Sequence, residues 1–232
     1  MSCRLAAMEA SQVTSDYPEQ STRTMTQRQL NAAATRDRLI EATIVCMANY
    51  GPAGVTLERV TDAAGVSRGL VRHHFGTKHR LLLEAFQRLA DEQRAAFDSE
   101  AAEGADAVTT LRDAIASSFR DALAAPARAH AWFGFWQAGL GDPELRDINE
   151  RVHREERERY TALFRAAAQQ QRLVLDETEA GRGLVALADG VWNELVMDST
   201  SLTVEEALTL CDHYIDMVLS QGRADREEPA GS

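Results

Sequence analysis

Apolar residues return every three or four positions along most of residues 35–221, and no segment keeps the two-residue alternation of a strand. Ile40, Ile44 and Met47, with Leu39 and Cys46 alongside, predict a first helix over about 35–50. Gly51-Pro52-Ala53-Gly54 breaks it. Leu57, Val60 and Ala64 mark a short second helix, with Thr56 placed to cap it and Gly65 placed to stop it. Ser67 stands where the N-cap of a third helix belongs, its hydroxyl set to accept from a free backbone N–H, and Val71 and Phe75 share that helix's inner face. From Thr77 to about 98, Leu82, Phe86, Leu89 and Phe97 define a fourth helix. The polar, Gly-containing stretch 98–107 then reads as a boundary.

Five more helical patterns follow. Val108, Leu111, Ile115, Phe119 and Leu123 form the fifth, and Pro126 opens a sixth that runs to about 140. Asp142-Pro143-Glu144 combines an N-cap, Pro at the first helical position and an acidic first turn, and so starts the seventh. Its RVHREERERY stretch reads as a solvated charged face. Asp176 with Glu179 opens the eighth, and the capping box Thr203-x-x-Glu206 opens the ninth. The expected fold is therefore all-α, with a three-helix helix-turn-helix head over 35–80 and a helical bundle over 81–221, about nine helices in all. Residues 1–34 are polar and aperiodic, and predict a disordered arm; residues 222–232 predict a frayed tail.

Two short helices joined at a Gly turn, the second basic on its outer face, form a helix-turn-helix pattern. Arg68, Gly69, Arg72 and His73 fall opposite Val71 and Phe75. A helix of this kind fits the DNA major groove, where Arg pairs with guanine through two parallel N–H groups. Spacing alone leaves a helical hairpin with a solvated face equally open.

Charge changes that picture. The net charge of −11 argues against a nucleic-acid partner, but its distribution reverses the argument. Residues 21–80 hold nine basic and four acidic side chains, whereas 81 onward holds 15 basic and 29 acidic. A positive head on a negative body docks by one face only. No GxSxG, P-loop, HExxH or Cys/His metal spacing is present, so neither catalytic nor metal residues nor a cofactor are expected. His73, His74 and His79 cluster beside the recognition helix, while His130, His153 and His213 look isolated. Cys3, Cys46 and Cys211 suggest no disulfide framework, no apolar run is long enough to span a membrane, and no signal peptide is evident. A cytoplasmic protein is the simple expectation.

The segment AAGVSRGLVRHHFGTKHRLL resembles the DNA-binding signature of the TetR family of bacterial repressors, with the likeness covering about residues 35–85. The resemblance implies a dimer on a near-palindromic operator and a small-molecule effector. It implies that Ser67, Arg68, Gly69, Leu70, Arg72, His73 and His74 face DNA. It also implies that Arg36, Thr56 and Lys78, the chain's only lysine, touch phosphates. Arg72 and His74 depart from the family's usual aromatics. The rival reading is a helical binding protein or enzyme without a DNA role, against which the basic head speaks.

In the body, Trp132, Phe133, Phe135 and Trp136 bring four of the chain's 14 Phe, Trp and Tyr residues into five positions. They are either core or, with Trp192, the walls of a ligand pocket suited to a cation. AWFGFWQAGLGDPELRDINERV resembles the C-terminal domain of BetI-type members of the family, which respond to choline. Leu184, Ala188, Val191 and Leu195 with Cys211, Tyr214, Ile215 and Val218 form two apolar stripes, expected to build a four-helix dimer interface.

Overall fold

A computed structural model describes residues 26–100, 106–198 and 200–227, with side chains described except at 98–100, 121–124 and 223–227. Among the described residues all regular structure is helical: α1 (Gln27–Gly54), α2 (Leu57–Ala64), α3 (Arg68–Phe75), α4 (Lys78–Glu100), α5 (Ala107–Ala124), α6 (Pro126–Gly139), α7 (Pro143–Gln171), α8 (Glu177–Met197) and α9 (Val204–Glu227).

The helix ends follow local chemistry. Thr56 Oγ1 accepts from Arg59 N at 3.3 Å, and Gly65 closes α2 at a φ of 63°, a left-handed conformation in which a Cβ would be strained. Thr77 Oγ1 accepts from Arg80 N at the start of α4, Asp142 caps α7, and Asp176 caps α8. Thr203 and Glu206 close the reciprocal box on α9, with bonds of 2.8 and 3.2 Å. Ser67 occupies the N-cap position of α3 but its hydroxyl makes no capping bond there.

Two hydrophobic cores organise the chain, and the first of them crosses the boundary expected at residue 80. The first joins Leu39, Ile40, Ile44 and Met47 of α1 to Val60, Val71 and Phe75. It then continues through Leu81 and Phe86 of α4 to Phe135 of α6 and Leu145 and Ile148 of α7. The second gathers Leu111, Ile115 and Phe119 with Tyr160, Phe164, Leu184, Cys211 and Ile215. The head thus shares its core with α4, α6 and the beginning of α7. Phe135 lies parallel to Phe86, with ring centroids 4.7 Å apart. At Gly134 an added Cβ would meet Met47 Cγ and Sδ at 2.6 Å, so α6 crosses α1 closely enough that any larger residue would displace the Met47 side chain.

Three expectations about extent and packing are corrected. Residues 27–34 are helical, because Thr26 and Gln29 form a capping box that starts α1 well before its buried stretch. The expected tail is likewise helical over 222–227, and buried Gly222 packs against the α7–α8 connection, where a Cβ would lie 3.0 Å from Val174 O. Residues 1–25 and 228–232 lie outside the described residues.

The apolar stripes assigned to a dimer are the third correction. Leu184, Cys211 and Ile215 are fully buried inside one chain, Ala188 and Val191 nearly so, and Leu195, Tyr214 and Val218 pack partly buried around them. They hold α8 and α9 to α5 and α7. Gly183 accommodates the Tyr214 ring, whose hydroxyl donates to Ala180 O at 3.1 Å. One chain thus buries five of these eight residues and leaves Leu195, Tyr214 and Val218 half-buried.

Candidate functional site

On the head, α3 presents Ser67, Arg68, Gly69, Arg72 and His73 to solvent, with Leu70 and His74 half-buried beside them. The outward face follows directly from Val71 and Phe75 being buried in the first core. A Cβ on Gly69 would meet nothing within 4 Å, so the fold itself does not require glycine there. Arg68 pairs with Glu58 of α2 at 2.7 Å, both side chains being well exposed. Burial, and then the neighbouring His73 and Arg36 charges, hold His74 below the ordinary imidazole range. Lys78 is the first residue of α4, where N–H groups without helical partners favour an anion.

Arg36 is placed differently from a simple phosphate ligand. Its guanidinium pairs with Glu84 of α4 and lies 5.3 Å over the Phe75 ring. Arg80 reaches the same Glu84 at 3.0 Å. Arg36 therefore ties α1, α3 and α4 together, an arrangement that sequence spacing did not reveal.

In the body, α4 to α8 enclose a cavity of about 370 Å³. Trp132, Trp136 and Trp192 line it, with Trp136 5.7 Å from Trp192 and 6.3 Å from Trp132, between ring centroids. Phe133 stacks on Trp192 at 5.2 Å and holds that ring from outside the lining set. Phe135 does not reach the cavity, since it is fully buried in the first core. The expected five-residue aromatic wall is therefore three indoles, one ring supporting them and one core residue. Trp136 Nε1 is buried without a hydrogen-bond partner.

The stretch read as a solvated face of α7 also turns inward. His153, Glu155, Glu156, Arg159 and Tyr160 line the cavity, because α4, α5 and α8 cover that side of the helix. His153 Nδ1 lies 3.9 Å from Glu156 and 3.7 Å from Asp189 of α8, so it is not isolated. Burial, reinforced by the Asp189 charge, pushes the Glu156 carboxyl up to about 8 against the pull of Arg159 and Arg157. Burial also raises Asp189, against His153 and Arg157. Glu156 sits in the cavity wall with only 19% of its side chain exposed. The signal missed in the sequence is His153-x-x-Glu156, two side chains on one face of α7.

The cavity and head are mechanically joined. Arg128 lines the cavity and bridges Glu41 of α1 at 3.0 Å and Glu92 of α4 at 3.2 Å. At the other end of α6, His79 of α4 lies 3.1 Å from Asp142 and 3.3 Å from Glu144. Among the described residues, no helix is long and apolar enough to cross a membrane.

An all-helical chain with a basic helix-turn-helix head, sharing its core with a ligand-sized aromatic cavity, has the form of a ligand-binding regulator. Comparison supports this class. Residues 39–85 match the description "Bacterial regulatory proteins, tetR family", and residues 107–220 match "BetI-type transcriptional repressor, C-terminal". The chain is 33% identical to the HTH-type transcriptional regulator BetI of Paraburkholderia xenovorans, over 80% of this chain and 93% of that one. It is 31% identical to BetI of Burkholderia mallei, with the same coverage. The fold is similar to a transcriptional regulator from Rhodococcus (TM-score 0.70, 24% identity, covering 80% of this chain and 96% of that one). It is also similar to a protein assigned as a transcriptional regulator of Saccharomonospora viridis, solved in complex with choline (TM-score 0.72, 20% identity, covering 79% and 96%). The chain belongs to the TetR family of transcriptional regulators, with a C-terminal domain of the BetI type. The family and these relatives are regulators, not enzymes.

Proposed function

We infer that the protein is a dimeric cytoplasmic repressor that leaves its operator when a small organic cation fills the α4–α8 cavity. The observation that carries this reading is the three-indole cavity whose wall helix, α6, crosses α1 of the head at the Gly134–Met47 contact. Each ring face attracts a cation by about 0.5–2 kcal/mol, more as the site becomes drier. The unpaired Trp136 N–H offers a polar handle for a hydroxyl or carbonyl on the same guest. A guest that pushes on α6 or Arg128 displaces α1 relative to α4, and so shifts the population toward a spacing of the two heads that no longer fits the operator.

DNA contact is assigned to Ser67, Arg68, Gly69, Leu70, Arg72, His73 and His74, with Thr56 and Lys78 on phosphate. The open space at Gly69 lets the duplex approach the helix backbone closely. Arg36 orients α3 from behind. The dimer face moves from the expected stripe to the outward side of the same helices, through exposed Ala186, Gly190 and Met197 of α8 and Leu210 and Met217 of α9. A two-fold dimer of this kind demands a near-palindromic operator.

The test is a gel shift with the DNA upstream of the protein's own gene, titrated with choline and with its neutral carbon isostere 3,3-dimethylbutan-1-ol. Release by choline and not by the isostere is the expected result, and Trp136→Ala should still bind DNA but no longer release it. Binding that no cation relieves, or that only organic acids relieve, would overturn the cationic effector.

A further inference from the structure

The aromatic rings account for an attraction to cations but not for the charge that must balance one in an enclosed site. Glu156 of α7 and Asp189 of α8 face the cavity from adjacent helices, with His153 of α7 3.9 and 3.7 Å from their carboxyls, beyond hydrogen-bond distance. We propose that this carboxyl pair is the counter-charge of the cationic effector, and that the effector enters by exchange for the proton held on Glu156. The proposal rests on the cationic reading above and adds its chemistry.

The other charges facing the pair are engaged elsewhere or held off. From α4, Glu92 is drawn to Arg128 and Arg94 to Glu155. From α6, Arg128 spans Glu41 and Glu92. On α7, Arg159 lies 4.8 Å over the Phe97 ring, Arg157 exerts the weaker pull of the two, and His153 stays 3.7–3.9 Å from both carboxyls. From α5 the wall offers only the hydroxyls of Ser117 and Ser118. Two neighbouring carboxyls with no cation in hydrogen-bonding contact, one of them well buried, do not both ionise readily. The empty cavity near neutral pH accordingly keeps its proton on Glu156, which burial and Asp189 together favour.

The exchange balances simply. The O–H bond of the Glu156 carboxyl breaks, the proton passes to solvent, and the carboxylate left behind faces the ammonium beside the indoles. The cavity's charge is the same before and after. A neutral isostere drives no such exchange, which sharpens selection for a cation. An effector that binds by this route binds more tightly as the pH rises toward 8, and operator release follows.

Calorimetric titration of the full-length wild-type protein with choline, in phosphate and in Tris at pH 7, counts the protons. We expect release close to one proton per choline, and an apparent affinity that rises by up to about tenfold per pH unit between pH 6 and 7.5. Glu156→Gln, which copies the neutral acid in shape, should release none, lose the pH slope and bind choline about tenfold more weakly at pH 8. Asp189→Asn serves as a second variant: without its neighbour's charge, Glu156 ionises more easily, so the sloping range moves to lower pH. Choline bound by wild type without proton release and without a pH slope overturns the exchange while leaving the cationic effector standing. Failure of choline, tetramethylammonium and benzyltrimethylammonium all to bind overturns the cationic reading itself, and the exchange with it.

Discussion

The DNA-facing surface of the head and the cavity of the body use charge in opposite ways. On α3 the charged side chains come from eight consecutive residues and stand largely in water, with Arg68 paired to Glu58. In the body the charges come from α4, α6, α7 and α8, between Glu92 and Asp189, and gather half-buried around a space, with Glu156 the most deeply covered. A charge in water acts on whatever comes within about a Debye length, whereas a buried carboxyl shifts toward neutrality until a guest restores its charge. The head is therefore always ready, and the cavity is conditional. What connects them is not a linker but a shared core.

The largest expected effect tests that shared core. Phe135 is fully buried against Phe86, between the cavity helix and the helix that follows the head. Phe135→Ala should cost about 3–5 kcal/mol of stability, measured by denaturant unfolding. Head and body should lose structure in one transition. A loss under about 1 kcal/mol, or a head that melts separately, would make the two regions independent.

The next effect separates the regions by pH. Glu156 holds its proton more tightly folded than unfolded, so between about pH 5 and 8 the native state carries the extra proton and stability falls as pH rises. At about 1.4 kcal/mol per unit, the loss across that window is on the order of 4 kcal/mol. His74 acts in the reverse sense: its folded value is lowered from 6.5, so the stability it contributes is lost as pH falls through that region. Thermal melts across pH 5–8 should show the decline in wild type and a much flatter profile in Glu156→Gln. An unchanged slope in the variant would place the titration elsewhere.

How far the sequence disclosed each region follows from the same contrast. Helix ends are local events, so Thr56, Gly65, Asp142, Asp176 and Thr203 could be read from one or two neighbours. The outward face of α3 was readable because Val71 and Phe75 fix its inside within four positions. The cavity was half-readable: the indoles announced themselves by density, but periodicity cannot say which face of a charged helix another helix will cover. That is why Glu156 resembled surface. The stripe from Leu184 to Leu195 shows the complementary limit, since an apolar face asks for a partner without naming which chain provides it. Thr26 with Gln29 escaped notice because a capping box before a polar stretch carries no apolar signal.

A smaller effect is expected on the head itself. Arg72 is exposed on α3, directly opposite the buried face, and Arg72→Ala should cost about 1–3 kcal/mol in operator affinity and relax the preference at one base position. Fluorescence anisotropy with operator variants measures both. The folded stability and choline binding of that variant should match wild type, because nothing of Arg72 reaches the cavity. Undiminished operator affinity would remove Arg72 from the reading face.

The smallest effect concerns Lys78, and it distinguishes positioning from reading within the head. Lys78 begins α4, where its ammonium adds to the positive end of the helix, and the side chain is half-buried rather than projecting from α3. Two residues on, Arg80 shares Glu84 with Arg36, so its charge is only partly compensated before any DNA arrives. A point charge at a helix start attracts a phosphate but has no geometry for a base edge. Lys78→Ala should therefore weaken operator and unrelated DNA by the same factor, and should reduce the slope of log affinity against log salt by about 0.9. Arg80→Ala should change that slope less, since the carboxylate it shares with Arg36 offsets part of its charge. Titrations at several salt concentrations on both DNAs decide the matter. A Lys78→Ala protein with an unaltered salt slope but a changed sequence preference would move this residue from the phosphates to the bases, and would extend the reading surface from α3 into α4.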